Sequence, residues 1–207
     1  KQDLVDKLQV KSIELCLLLS IPAALGLLIA SEEIVNSLFG YGSFSKEDIY
    51  YTSAALIYFS IGVPAFALIK VLSNFYFARN NTKLPFYISF ITMLINILIS
   101  VSLFKKYGFI IIPIATSLST WFAVVFYLIF LRKNKILLFN KVFNSNLLKI
   151  LFSTFLMSFF LYYGLNNFED KFEYANKFKL IYLLIMIGLS SVLYLMFTKI
   201  FGILNLK

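Results

Sequence analysis

A single lysine inside an apolar run is the residue of this sequence with the clearest chemical potential. Lys70 lies between Thr52 and Phe77, a stretch with no other Lys, Arg, Asp or Glu. If this stretch is a membrane helix, burying the cation costs at least about 2.5 kcal/mol, so such residues usually face a cavity or a partner. We expect Lys70 to face a cavity, where its ammonium would attract an anionic ligand. The alternative is a lysine whose flexible stem reaches the nearby membrane interface.

Uncharged oxygen-bearing side chains form a second candidate group. Asn96 lies in the middle of an apolar run, Ser100 follows it by one helical turn, and Thr116 lies in the next run. A cation site needs several convergent oxygen ligands, and these three residues supply part of one. The alternative is hydrogen bonding between neighbouring membrane helices, which contributes roughly 0.6 kcal/mol per bond.

Residues for catalysis are missing from the sequence. It contains one Cys and no His, which excludes a disulfide framework, the familiar Cys/His zinc sites and the usual base of Ser or Cys hydrolases. It also has no Gly-rich phosphate loop and no acidic pair within an apolar run, which argues against an ATP-driven pump. We therefore predict no enzyme, no confident metal site and no cofactor, and we interpret Cys16 as a packing residue.

Six apolar runs must position the candidate residues. A helix needs roughly 20 apolar residues to cross a bilayer, and 60% of the residues are hydrophobic while only 14% are charged. The sequence therefore predicts an all-α polytopic membrane protein with six transmembrane helices. The predicted spans are Ile13–Ala30, Thr52–Phe77, Pro85–Phe104, Phe109–Leu131, Leu147–Leu165 and Leu180–Ile200.

Basic residues divide unequally between the two sets of alternating flanks. Twelve of the 19 Lys and Arg residues fall on the side that holds both termini, and six fall on the other side. Because cytoplasmic loops are enriched in Lys and Arg, both termini are predicted to be cytoplasmic. The net charge of +9 is spread over these short loops, which argues against nucleic-acid binding, for which cations cluster on one folded face.

The order of the runs predicts a division of the chain. Residues 1–131 would hold four helices, 132–146 a basic cytoplasmic linker, and 147–207 a final helix pair. Prolines and glycines inside the runs predict kinks, and as candidate hinges we take Pro22, Gly26, Gly62, Pro64 and Pro113.

The longest predicted outer connection, 31–51, carries signals for a short helix. Ser45 is followed three residues later by Asp48, the spacing of a reciprocal N-terminal cap. We expect a short amphipathic or cap helix in this connection.

Four stretches together resemble a known family. Residues 70–85 read KVLSNFYFARNNTKLP, in which a span ending in Lys-Val-Leu leads to a polar turn that closes on Lys and Pro. The other three, in chain order, are SIPAALGL at 20–27, SLFGYGSF at 37–44 and GFIIIPIATSLSTW at 108–121. This pattern resembles the MurJ (MviN) lipid II flippases of the MOP exporter superfamily. Leu84 stands where that family usually has Thr before the proline.

The resemblance implies a fold and an activity. Such transporters have fourteen helices, and the chain is similar to the ninth to fourteenth, so we expect a C-terminal portion whose partners include the preceding helices. The implied activity is to carry undecaprenyl-pyrophosphate-linked peptidoglycan precursor, lipid II, from the inner to the outer leaflet by alternating access. The protein would then be multi-pass in the bacterial cytoplasmic (inner) membrane, in contact with its lipids, and serve cell wall biogenesis and cell shape.

The resemblance also implies roles for residues. Lys70 and Arg79 become candidates for contact with the anionic headgroup. Asn96, Ser100 and Thr116 occupy the pattern of a sodium site found in some relatives, with Ser100 in place of a carboxylate, so coupling to Na⁺ or H⁺ stays open. Two alternatives to the flippase remain: an exporter of another polyprenyl-linked polysaccharide precursor, and a non-transporting membrane scaffold.

Overall fold

The regular structure of the described chain is helical. The computed structural model describes residues 2–134, 141–174 and 176–203. Its α-helices are α1 (Gln2–Ile29), α2 (Ser31–Phe39), α3 (Lys46–Phe77), α4 (Lys83–Tyr107), α5 (Ile111–Lys133), α6 (Lys141–Asn167) and α7 (Lys179–Ile200). Two short 3-10 helices cover Gly108–Ile110 and Glu169–Phe172.

Helices α4 and α5 are two spans within one continuous apolar stretch. The stretch Lys83–Lys133 is 51 residues long, far more than one crossing needs. Gly108 ends α4 with φ of 63°, a conformation that L side chains rarely adopt, and α4 packs extensively against α5. The described chain therefore has six helices long enough to cross a membrane, since α2 alone is too short, which confirms the predicted polytopic all-α architecture.

The predicted N-cap at Ser45 starts the long helix α3. Ser45 Oγ accepts a hydrogen bond from the Asp48 backbone N–H at 3.1 Å, and Asp48 Oδ2 accepts one from the Ser45 N–H at 2.9 Å. This reciprocal cap satisfies two backbone donors at the helix start. The short amphipathic helix of the connection is α2, which precedes the glycine turn and does not follow Ser45.

The first compact unit, unit 1, comprises Lys1–Ser20 and Ile61–Leu147. Trp121 on α5 donates its indole N–H to the Ile61 backbone oxygen on α3 at 3.0 Å. The rings of Tyr76 and Tyr127, both buried, lie 6.1 Å apart between the same two helices. A polar bond and an aromatic pair thus hold α3 against α5.

The second compact unit, unit 2, comprises Ile21–Ser60 and Leu148–Lys207. Its apolar core joins the end of α1 to α6, α7 and the second 3-10 helix. The buried members are Ala30, Leu161, Leu165, Phe172, Leu183 and Met186. This core is small because the apolar residues on the other faces of α6 and α7 point outward, as lipid-facing residues do.

The three-part division drawn from the sequence stays a prediction. Residues 135–140 of the basic linker predicted at 132–146 lie outside the described residues. Both compact units contain parts of α1, α3 and α6. They therefore group the chain by local packing and not by the order of the predicted segments.

Candidate functional site

The structure brings the three predicted cation-site residues together in unit 1. Asn96 on α4 donates its side-chain amide to Thr116 Oγ1 on α5 at 3.1 Å. Ser100 Oγ donates to Asn96 Oδ1 at 3.5 Å. Ser119 joins them, because the Asn96 amide also lies 3.4 Å from Ser119 Oγ. We call Asn96, Ser100, Thr116 and Ser119 the polar cluster.

The chemistry of the polar cluster is that of neutral oxygen and amide groups. Thr116 and Ser119 donate their hydroxyls to the backbone oxygens of Ile112 and Thr116, at 2.8 and 3.1 Å. Within the described residues, no group of three or more His, Cys, Asp or Glu could hold a metal ion. The contacts present bond α4 to α5, the alternative raised from sequence, and ion binding stays a prediction.

Lys70 lies on α3 at the edge of an apolar groove in unit 1. The groove has a volume of about 610 Å³ and runs between the first part of α1 and the second half of α3. Leu15, Leu19, Phe66 and Val71 are among its apolar lining residues. Lys70 is exposed in the described chain. Its side chain is therefore accessible at the edge of the groove.

Arg79 lies beyond the end of α3 and outside the lining of the Lys70 groove. Its guanidinium Nη1 donates to the Phe75 backbone oxygen at 2.7 Å. A basic side chain in this position satisfies one of the last helical carbonyls. The structure thus places Arg79 at the C-terminus of α3 and does not join it to Lys70 in one site.

The candidate hinge residues occupy different kinds of position. Pro22 and Pro64 lie inside α1 and α3, where proline removes a helical hydrogen bond. Pro113 lies in the first turn of α5, where no such bond is lost. A Cβ added at Gly62 would lie 2.6 Å from Ser117 Oγ, whereas one at Gly26 would meet nothing within 4 Å.

Comparisons with known proteins decide the family. The family model described as "Lipid II flippase MurJ" matches residues 1–199. The chain belongs to the MurJ family. A "Lipid II flippase MurJ" from Thermosipho africanus is 31% identical over 185 residues, which cover 89% of this chain and 35% of that protein.

A second MurJ relative and a solved MurJ structure agree. The "Probable lipid II flippase MurJ" of Rickettsia prowazekii is 34% identical over 116 residues, 56% of this chain and 23% of the relative. A solved structure titled "Lipid II flippase MurJ, inward closed conformation" superposes with a TM-score of 0.78 at 28% identity, over 95% of this chain and 39% of that one. The chain thus spans about a third of the length of such relatives.

The MurJ assignment confirms the resemblance carried by the four stretches between residues 20 and 121. The chain is a multi-pass membrane protein of a family whose named members are flippases, which are transporters and not enzymes. The resemblance to the last six helices of such a protein stays a prediction.

Sequence reasoning missed two buried charges in this MurJ-family chain. Glu14 on α1 accepts a hydrogen bond from the Asn146 side chain at 2.9 Å, and Lys11 lies 3.5 Å from its second oxygen. Lys179, the first residue of α7, is fully buried. The pattern of charges offered no signal for either burial, because both residues lie near the ends of apolar runs, where charges are ordinarily solvated.

Proposed function

We propose that this chain is part of a flippase that carries lipid II from the inner to the outer leaflet of the bacterial cytoplasmic membrane. The match of residues 1–199 to the lipid II flippase family supports the proposal most strongly. The similarity in fold to the solved flippase structure, with a TM-score of 0.78, also supports the proposal. The substrate is a polyprenyl pyrophosphate that carries a sugar-peptide headgroup, and its export serves cell wall synthesis.

The Lys70 groove supplies a physical basis for a role in binding. A lipid-linked pyrophosphate combines a long apolar chain with a compact anionic group. Lys70 borders a groove lined mainly by apolar side chains, so one ligand could engage both features. In a membrane the low dielectric strengthens attraction between the ammonium and a phosphate. We propose that Lys70 attracts the pyrophosphate during transport.

Energy coupling forms a separate part of the proposal. The flippase needs no resident cofactor in this scheme, and alternating access would be driven by a gradient of Na⁺ or H⁺. The polar cluster is the place in this chain where Na⁺ would act. Its four members supply oxygen atoms but no charge, so any binding there would be weak.

Complementation tests the proposed function. The complete gene that encodes this chain would be expressed in cells depleted of their lipid II flippase, as wild type and as Lys70→Ala. We expect the wild type to restore growth and Lys70→Ala to fail at an equal membrane level. Lys105→Ala removes an exposed lysine of the last turn of α4 and serves as the matched control.

The complementation tests the role of Lys70 and the identity of the substrate separately. Rescue by Lys70→Ala would refute the role of Lys70 and keep the flippase. Failure of the wild type at a normal membrane level would contradict lipid II as the substrate. A transport assay with other polyprenyl-linked polysaccharide precursors would then identify the cargo.

A further inference from the structure

Unit 2 contains a buried lysine that the transport proposal does not use. Lys179 is fully buried, although it is the first residue of α7. Its ammonium donates hydrogen bonds to the Gly40 backbone oxygen at 2.8 Å, to Asn36 Oδ1 at 2.9 Å and to the Tyr174 backbone oxygen at 3.1 Å. An ammonium has three donors, so this set uses all of them.

Aromatic rings complete the surroundings of the ammonium. Lys179 Nζ lies 4.1 Å from the centre of the Tyr41 ring and 5.0 Å from that of Tyr174. Both distances are within the range of cation–π attraction. Among the described residues the partners are carbonyl oxygens and rings, and none of these carries a negative charge. Such an arrangement is costly to open, because three acceptors and a cation would lose their partners together.

Because Gly40 has no side chain, the Lys179 ammonium can reach its backbone oxygen. A Cβ at Gly40 would overlap Asn36 and would lie 3.1 Å from Lys179 Nζ. A larger residue would therefore displace either the amide or the ammonium. The end of α2 is shaped to receive Lys179.

Two further bonds connect the same segments. Asn36 donates its amide to the Phe172 backbone oxygen at 2.6 Å. Tyr174 donates its hydroxyl to the Phe44 backbone oxygen at 2.9 Å. The end of α2 and the α2–α3 connection after it are thus bonded to Phe172 and Tyr174 of the α6–α7 connection and to the first residue of α7. We call Asn36, Tyr174 and Lys179 the clasp.

We propose that Lys179 is a positioning residue that makes the end of α2 and the start of α7 move as one body. Helix α2 follows α1 after one residue and precedes α3 by a short connection. A displacement of the start of α7 would therefore carry the adjoining ends of α1 and α3 with it. The consequence for transport rests on the proposed function: during alternating access the final helix pair pivots about the clasp and does not separate from α2 there.

Hydrogen exchange of the full-length protein in detergent, measured by mass spectrometry, tests the clasp. Lys179→Met keeps an apolar stem of similar length but removes all three donors. We expect the amides of 40–44 and of 171–174 to exchange about tenfold faster, while those of α4 and α5 stay unchanged. Lys177→Met, which replaces an exposed lysine of the same connection, should leave both segments at the wild-type rate.

Unchanged exchange in Lys179→Met, or acceleration in only one of the two connections, would overturn the clasp. If Lys179→Met does not accumulate as folded protein, Tyr174→Phe replaces it, since that variant loses only the hydroxyl's bonds to the Phe44 oxygen at 2.9 Å and the Gly42 oxygen at 3.5 Å. We then expect faster exchange at 40–44, and an unchanged rate there would overturn the clasp equally.

A separate growth experiment tests the role of Lys179 in transport. Lys179→Met and Lys179→Arg would be compared for growth rescue at equal membrane levels and equal thermal midpoints. We expect Met to lose most of the rescue and Arg, which keeps charge and donors, to retain more of it. Equal rescue by both would overturn the transport role. Because exchange is measured without substrate, failure of the flippase proposal would leave the exchange result intact.

Discussion

At the scale of single residues, the polar cluster shows how a neutral site differs from a charged one. Ser100 contributes a hydroxyl to Asn96 where a carboxylate would contribute a negative charge. A hydroxyl bonds well to an amide but compensates little of the cost of dehydrating a cation. The contacts of Asn96 with Thr116 and Ser119 are sufficient to explain the cluster as a bond between α4 and α5.

Substitution of Ser100 tests whether a negative charge at this position allows the polar cluster to bind Na⁺. We expect Ser100→Asp to gain a Na⁺-dependent rise in thermal midpoint, because the new carboxylate lies one turn from Asn96. Na⁺ at ten times its dissociation constant would add about 1.4 kcal/mol of stability. The wild type, Ser100→Asn and K⁺ at the same concentration serve as controls. A Na⁺-dependent rise in the wild type would instead show that the neutral cluster already binds the ion.

At the scale of the helix, Gly62 lies at a close helix–helix contact, whereas Gly26 does not. Gly62 lies on α3 where the backbone and hydroxyl of Ser117 on α5 come within contact of an added Cβ. Gly26 on α1 has open space at the same point. Small residues allow membrane helices to approach closely, and this approach gives Gly62 a packing role whether or not it is also a hinge.

Alanine substitution distinguishes the two glycines. Gly62→Ala should lower the free energy of unfolding by about 1–3 kcal/mol, since the Ser117 hydroxyl oxygen, 2.6 Å from the added Cβ, has to move. Gly26→Ala should raise it by up to about 1 kcal/mol through its better helix propensity. Ser117→Gly combined with Gly62→Ala should recover the loss. Thermal unfolding in detergent measures all three, and equal effects at both glycines would contradict the packing role of Gly62.

At the scale of the whole molecule, the exposed apolar surface explains why the chain belongs in a bilayer. Only 6% of the most apolar window in the α4–α5 stretch is buried within the described chain. Phe86, Leu98 and Val101 on α4 are each at least 65% exposed. In water such a surface would drive aggregation, whereas lipid chains cover it at little cost.

Cysteine labelling tests the predicted orientation of the molecule. In a Cys16→Ala background, Ser43→Cys in the α2–α3 connection should react with a membrane-impermeant maleimide added to intact spheroplasts. Lys133→Cys, in the last turn of α5, should react only after permeabilisation. Both sites are exposed, so access and not burial controls the reaction. The opposite pattern would refute the placement of both termini in the cytoplasm.

Contacts between residues that are close in the chain could be predicted from the sequence, whereas contacts between distant residues could not. Asn96 and Ser100 are one helical turn apart, so their proximity followed from helix geometry. Thr116 joins them because α4 and α5, the two neighbouring spans predicted from the apolar runs, pack against each other. Lys70 was identified by its charge in an apolar run, and its groove then depended on the packing of α1 against α3.

Lys179 shows where sequence reasoning ended. Its position directly before the apolar run Leu180–Ile200, beside a polar connection, predicts a solvated cation. Its partner Asn36 lies 143 residues earlier in the chain. No local pattern relates two such positions, since their contact requires α2 and α7 to be packed first.

The sequence by itself determined the class of the protein, its six spans and its family. The length of an apolar run and the charge of its flanks are local properties of the sequence. They predict membrane helices and their orientation, because a bilayer has a fixed thickness and cytoplasmic loops are enriched in basic residues. Only the tertiary structure decided which polar groups meet: the cluster between α4 and α5, the buried Glu14 bonded to Asn146, and the clasp around Lys179. The physical reason is that a buried polar group must find its partner wherever helix packing brings one, however distant in sequence.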